Sequence, residues 1–261
     1  MKKNLSFLRK KLNLYNVLRL NLVALILLVC FACKKSEDRT CFKTTGKRVT
    51  KIYSVGNYTL LKLHPYISYT LVPDSINYVE VSCGENLINF IKLDCQDSLL
   101  TISNENKCDY LRDLDRKIEV KIHIRKLNNL YFDGTERVVC SDTLNSDFLT
   151  VLLKDGAGTV DLIVNTISLD AQLANGSGNY ILSGLSAHTK ISLSDKGFCD
   201  ASKLVTKDSL RFNTTSFGDL KINASEVYVL GDIYNTGNVY YYGTPSLTKI
   251  MEWSSGRFIQ K

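Results

Sequence analysis

Residues able to do chemistry are few in this chain, and their spacing is poor for it. The three histidines, His64, His123 and His188, fall in separate segments, and His123 alternates with Lys121 and Arg125 as an ordinary strand residue does. A polysaccharide lyase would need carboxylates converging on Ca²⁺ beside an Arg or Lys base. The acids best spaced for that, Asp161, Asp200 and Asp219, occupy different columns or nonadjacent coils of the repeat described below. The turn Asn175-Gly176-Ser177-Gly178 is rich in glycine like a phosphate loop, but neither a helix start nor a Lys-Ser/Thr pair follows it. Cys41, Cys83, Cys95, Cys108, Cys140 and Cys199 include no CxxC and no Cys/His spacing, which argues against zinc. Cys83, Cys95, Cys140 and Cys199 continue apolar alternations, so they read as core thiols, with a Cys83–Cys95 bridge left open. The expectation is a non-enzyme with no catalytic residue, no metal and no cofactor.

Architecture is far more legible. Gly158, Gly178, Gly197, Gly218, Gly237 and Gly256 are separated by 20, 19, 21, 19 and 19 residues. Two residues after each stands an apolar residue: Val160, Tyr180, Cys199, Leu220, Val239 and Phe258. Further alternating runs precede the glycines, such as Ile167, Leu169, Ala171 and Leu173. Each repeat therefore carries at least two half-buried strands, with the glycine in the bend among Asp155, Asn175, Asp195 and Asn235, residues suited to positive φ or Asx turns. Units of about 20 residues cannot bury an apolar face alone and must stack. The predicted fold is all-β, a β-helix or β-solenoid over 126–261 preceded by an N-terminal β region over 49–125. An antiparallel meander is the rival. The N-terminal region reads as strands at 49–55, 58–63, 67–72, 78–83, 91–95, 99–103 and 118–124, with one helical turn at 85–90.

Residues 1–32 read as a signal peptide. Lys2, Lys3, Arg9, Lys10, Lys11 and Arg19 precede an apolar stretch from Leu22 to Val29, too short for a span of about 20 residues. Ala32-Cys33 then resembles a bacterial lipoprotein cleavage site, which makes Cys33 the expected lipid attachment point and the membrane a partner through that anchor. Cleavage would turn the net charge of +7 into near neutrality, because 33 Lys and Arg become 27 against 26 Asp and Glu. The basic excess belongs to the removed segment, and with it goes the case for nucleic acid. Residues 33–48 read as a polar tether. Its Glu37-Asp38 pair resembles a sorting signal for the outer face of the outer membrane, and a solvated linker explains it equally well.

Three stretches taken in order resemble a known family. They are Glu85-Asn86-Leu87-Ile88-Asn89-Phe90-Ile91-Lys92 leading to Asp97-Ser98-Leu99-Leu100-Thr101-Ile102, the pairs Gly156/Gly158 and Gly176/Gly178, and the ending Gly237-Asn238-Val239-Tyr240-Tyr241-Tyr242-Gly243-Thr244-Pro245. Over about 49–261 the chain is similar to exported bacterial auto-transporter adhesins with a head GIN domain. The resemblance implies an all-β, solenoid-like lipoprotein of the cell envelope and carries no catalytic residues over. Tyr240 and Tyr242 should point outward if Tyr241 points in, either to meet a glycan or protein ligand or to cover the last coil. Asp-Ser/Thr-aliphatic triplets at Ser75, Ser98, Thr143 and Ser209 resemble an O-glycosylation motif of bacterial envelope proteins. The functional expectation is an envelope lipoprotein that binds or adheres. The alternatives are a periplasm-facing structural protein and a polysaccharide-active β-helix enzyme.

Overall fold

A computed structural model describes residues 44–106 and 117–261. The predicted signal peptide, Cys33, Cys41, Cys108 and most of the tether lie outside the described residues. The strands are β1 (Arg48–Ser54), β2 (Leu60–Leu63), β3 (Ser68–Pro73), β4 (Tyr78–Gly84), β5 (Ile91–Gln96), β6 (Leu99–Asn104), β7 (Glu119–Ile124), β8 (Asn129–Phe132) and β9 (Arg137–Cys140). They continue as β10 (Leu144–Lys154), β11 (Thr159–Ala174), β12 (Asn179–Asp195), β13 (Phe198–Ser216), β14 (Leu220–Asn223), β15 (Tyr228–Ile233), β16 (Val239–Tyr242), β17 (Leu247–Glu252) and β18 (Phe258–Gln260). Within the expected helical turn stands a 3-10 turn, Ile88–Phe90.

Alternation explains how one long strand serves two faces. In β11 the buried positions are Val160, Leu162, Val164 and Thr166, and then Leu169, Ala171 and Leu173. The parity changes between Thr166 and Leu169, so the chain turns a corner there and its second half faces the core from another side. Ser146, Thr166, Ser186 and Thr206 stack in register at this corner. The hydroxyls of the first three lie 2.9, 3.1 and 2.8 Å from the carbonyl two residues on, Phe148, Ser168 and His188 respectively, with the Leu127 and Asp147 carbonyls sharing the first two. Such bonds hold a local bend that an apolar side chain would not.

Stacked coils form two parallel ladders. One joins β3, β9, the first halves of β11, β12 and β13, then β14, β16 and β18. The other joins β2, β8, β10, the second halves of β11, β12 and β13, then β15 and β17. The solenoid is thus the architecture, and among the described residues antiparallel pairing is confined to its N-terminal end. There β4 lies against β7, β1 against β4 and β5 against β6. Coil order departs from chain order at this end: β2 pairs with both β6 and β8, and β3 with both β7 and β9. The coil β2–β3 is therefore inserted between β6–β7 and β8–β9, and the antiparallel strands close the stack beyond it.

Repeat length is adjusted by bulges. β13 slips register against β12 between Ile181 and Ser183 and again between Ser186 and His188. These shifts absorb the 21-residue spacing between Gly197 and Gly218 against the 19 residues of the preceding repeat.

The expected core thiols are placed accordingly: Cys83 is 1% and Cys199 2% exposed, Cys95 and Cys140 are half-buried, and all four are free. Burial pushes the Cys83 and Cys140 thiols from 9.0 up to about 11, against the pull of Arg48 and Lys51 at Cys83 and of backbone hydrogen bonds at Cys140. An unfolded thiol releases its proton near 9.0 while the folded one holds it, so the unfolded state binds fewer protons in between. Stability is expected to fall as pH rises from about 9 towards 11. Urea midpoints across that range, compared with Cys83→Ala/Cys140→Ala, test this; an equally steep alkaline limb in the double variant would reject Cys83 and Cys140 as its source.

Candidate binding face

Tyr240 and Tyr242 stand on the outer face of β16, while Tyr241 packs inward and stacks on Phe258 at 4.1 Å. Tyr240 lies between Lys221 and Ile259 of the neighbouring coils, and the Lys261 ammonium sits 4.5 Å from its ring centre. Of the hydroxyls in Asp-Ser/Thr-aliphatic triplets, Ser75 and Ser98 are exposed and Thr143 is half-buried. Asp97 and Ser98, with φ of 47° and 64°, form the tight turn between β5 and β6. Ser209 is half-buried and shares a 3.0 Å hydrogen bond with His188 Nδ1.

The histidines do not meet. His64 Nδ1 lies 3.2 Å from Asp133, and His188 Nε2 lies 3.8 Å from Asp208. His123 is the one with a built environment: its ring stacks on Tyr78 at 3.8 Å, and its Nδ1 bonds Asp74 at 2.9 Å. That bond, followed by those from Ser75, holds the Asp74 carboxyl below its usual value. The His123 Nε2, where a triad would hold its nucleophile, makes no hydrogen bond and has Glu80 3.7 Å away. Asp161 and Asp200 are tied up by Arg137 and Lys221 from adjoining coils, and Asp219 accepts from the Asn238 backbone. No group of three His, Cys, Asp or Glu converges as a metal site among the described residues.

The more organised surface is the outer face of the second ladder. A groove of about 630 Å³ runs across β11, β12, β13, β15 and β17. In-register outward residues line it in rows: Lys190, Arg211, Leu230 and Lys249 in one, Ser192, Asn213, Asp232 and Met251 in the next. Its floor depends on Gly231, where an added Cβ would lie 2.0 Å from the Phe212 ring of the preceding coil. The glycine lets that ring occupy the core directly below the groove.

Beside the groove, Tyr234 and Trp253 follow β15 and β17 on the same face, with rings parallel to within 3° and centres 6.0 Å apart. Trp253 donates its indole N–H to Asp232 at 3.1 Å, which fixes the ring over the groove's edge. Both remain open to solvent, at 46% and 61%. An exposed pair of this kind next to hydroxyl, amide and charged groups offers an apolar face and directional polar contacts together. Sequence reasoning singled out Tyr240 and Tyr242 and missed this pair. The signal was available, because Tyr234 and Trp253 are 19 residues apart, the same offset as Gly237 and Gly256.

Among solved structures, the fold is similar to a putative adhesin from Bacteroides fragilis NCTC 9343, with a TM-score of 0.73, 19% identity, and coverage of 82% of this chain and 97% of that one. A putative adhesin from Parabacteroides merdae ATCC 43184 matches with a TM-score of 0.63 and 18% identity over 83% and 98% of the two chains. A protein described as a putative lipid binding protein, from Parabacteroides distasonis ATCC 8503, matches with a TM-score of 0.61 and 16% identity over 82% and 97%. No curated protein matches the chain. Residues 57–245 carry the family signature, and the chain belongs to the family described as "Putative auto-transporter adhesin, head GIN domain".

Proposed function

We propose that this protein is a lipid-anchored, non-catalytic adhesion module of the bacterial cell envelope that binds carbohydrate through the groove and the Tyr234–Trp253 stack. The observation that carries the reading is the exposed, indole-anchored ring pair beside a polar groove. Sugar rings pack their C–H faces on such rings while serine, asparagine and charged side chains take the hydroxyls. Membership of an adhesin family supports the adhesive role and an envelope location. The anchor is Cys33, with the solenoid at the outer membrane, and the exposed Ser75 and Ser98 suit O-glycosylation better than the half-buried Thr143 and Ser209.

A protein ligand is the second reading. No strand covers the outer edges of β17 and β18 among the described residues, and Leu247 and Met251 are exposed there. Binding of the full chain to a glycan array distinguishes the two readings. Trp253→Ala is expected to weaken glycan binding at least tenfold, a loss of about 1.4 kcal/mol or more, with the circular dichroism spectrum unchanged. An array on which wild type and variant behave alike rejects the groove as the site. On intact cells, protease accessibility that disappears with Cys33→Ala supports the anchor, and an intact mass equal to the unmodified polypeptide rejects both lipid and glycan attachment.

A further inference from the structure

We infer that the groove selects acidic saccharides, those bearing carboxylate or sulfate groups, over neutral ones. This rests on the carbohydrate reading above and adds the chemical class of its ligand.

Several charges on the outer surface of this solenoid meet an opposite charge across the coil interface. Arg137 pairs with Asp161, Lys221 with Asp200 and Lys190 with Asp170. The groove breaks that pattern. Lys190 and Arg211 are register partners on β12 and β13, two cations directly opposite one another, an arrangement that costs stability unless an anion lies nearby. The Lys190 ammonium turns away to Asp170 at 3.1 Å, leaving the Arg211 guanidinium without a carboxylate among the described residues. Lys249 stands in the same row, across Leu230, and is likewise unpaired among the described residues. Both are exposed and both line the groove. The one carboxylate on the aromatic side, Asp232, is engaged by the Trp253 indole and does not serve either cation.

Arg211 and Lys249 are separated by the single strand β15, so their columns are about 9.6 Å apart at ordinary strand spacing. Two cations at that separation, one row from Ser192, Asn213 and Asp232 and two rows from the ring pair, suit a sugar chain whose rings pack on Trp253 and Tyr234 while acidic substituents reach the cations. A guanidinium with no protein partner is free to hold a carboxylate or sulfate by two parallel hydrogen bonds, and Lys249 adds a point charge. A neutral glycan would leave both cations as they are and gain nothing from them.

The test uses the detergent-solubilised full chain in affinity electrophoresis against polygalacturonate, chondroitin sulfate, neutral dextran and laminarin, with single-stranded DNA as a non-saccharide polyanion. Wild type is expected to be retarded by at least one acidic polymer and by neither neutral one. Arg211→Gln/Lys249→Gln should weaken that retardation about tenfold or more, and raised salt should weaken it further. Preference for polygalacturonate or for chondroitin sulfate identifies carboxylate or sulfate. Equal retardation by neutral polymers, untouched by the double variant, would overturn the charge selection and leave the carbohydrate reading intact. Retardation by none of the four polysaccharides would overturn both. Single-stranded DNA bound as tightly as the acidic polysaccharides, with the same loss in the double variant and none in Trp253→Ala, would show mere polyanion attraction and overturn the saccharide assignment.

Discussion

Replacing Gly237 with alanine is expected to cost on the order of 3 to 5 kcal/mol and to open the C-terminal coils. The added Cβ would lie 2.1 Å from the Gly218 carbonyl oxygen, 2.8 Å from that of Ser216 and 2.9 Å from the Gly218 carbonyl carbon. All three are backbone atoms, so no side-chain rotation relieves the overlap. The coils themselves would have to separate, and the ladders on either side, β13–β15 and β14–β16, hold them at strand spacing. The same geometry recurs in the column: Gly256 faces the Gly237 oxygen, and Gly218 the Gly197 oxygen, both at 2.3 Å. Gly256→Ala is the informative control, because its coil is the last described and has fewer neighbours to disrupt. Urea denaturation should show a large drop in midpoint for Gly237→Ala, and limited proteolysis should cut first after β15. For Gly256→Ala the expectation is local fraying with a smaller drop. Midpoints unchanged in both variants would mean that the stack has slack the geometry does not show.

That column also shows how far the sequence could be read. The period and the inward residues two positions after each glycine follow from spacing and alternation alone, whereas the choice of parallel stacking over an antiparallel meander comes from the strand pairing. What spacing cannot give is the reason for the glycine. The bends do use left-handed backbone, but at Asp155, Asn175 and Asp195, with φ of 59°, 54° and 56°. The glycines beside them have ordinary φ and are required by neighbouring coils, Gly156, Gly158 and Gly176 by carbonyl oxygens and Gly178 and Gly197 chiefly by the Leu153 and Leu173 side chains, contacts between residues about 20 apart that exist only once the coils are stacked. The corner hydroxyls Thr166 and Ser186 were hidden for a similar reason: a polar residue on an apolar face looks like an interruption until its carbonyl partner is known. Insertion of β2–β3 between later coils was illegible because two short strands of similar composition satisfy either order. The binding face lay between these cases. Lys190, Arg211 and Lys249 look like unrelated surface charges along the chain, and only the register, including the two bulges of β13, sets them in one row.

Tyr180→Phe is expected to lose about 2 to 4 kcal/mol although it removes a single oxygen atom. Tyr180 is 1% exposed and reaches from the first ladder across the core to the second. There its hydroxyl accepts from the Leu153 backbone N–H at 2.9 Å and lies 2.7 Å from the Gln172 carbonyl and 3.0 Å from that of Val151. A hydroxyl has one proton, so it donates to one carbonyl, the nearer being Gln172, while its lone pair satisfies Leu153. Phenylalanine keeps the ring and its packing but removes the buried hydroxyl that accepts from the Leu153 N–H and donates to the Gln172 carbonyl, so a bridge between β10 and β11 is lost inside the core. The pattern of damage should be specific. Amide exchange of Leu153 should accelerate strongly, whereas amides of β15 and β17, several coils away, should change only with global stability. Tyr69→Phe provides the comparison, since the Tyr69 hydroxyl donates to the His64 carbonyl at 2.8 Å but accepts no backbone N–H among the described residues. Loss of a donor to a carbonyl is the smaller penalty, because that oxygen retains a second lone pair for other contacts. If Tyr69→Phe proves as damaging as Tyr180→Phe, losing the acceptor of the Leu153 N–H is not the main cause of the loss. The hydroxyl's role would then be to hold the two ladders at a fixed separation, and both tyrosines would act as cross-core struts.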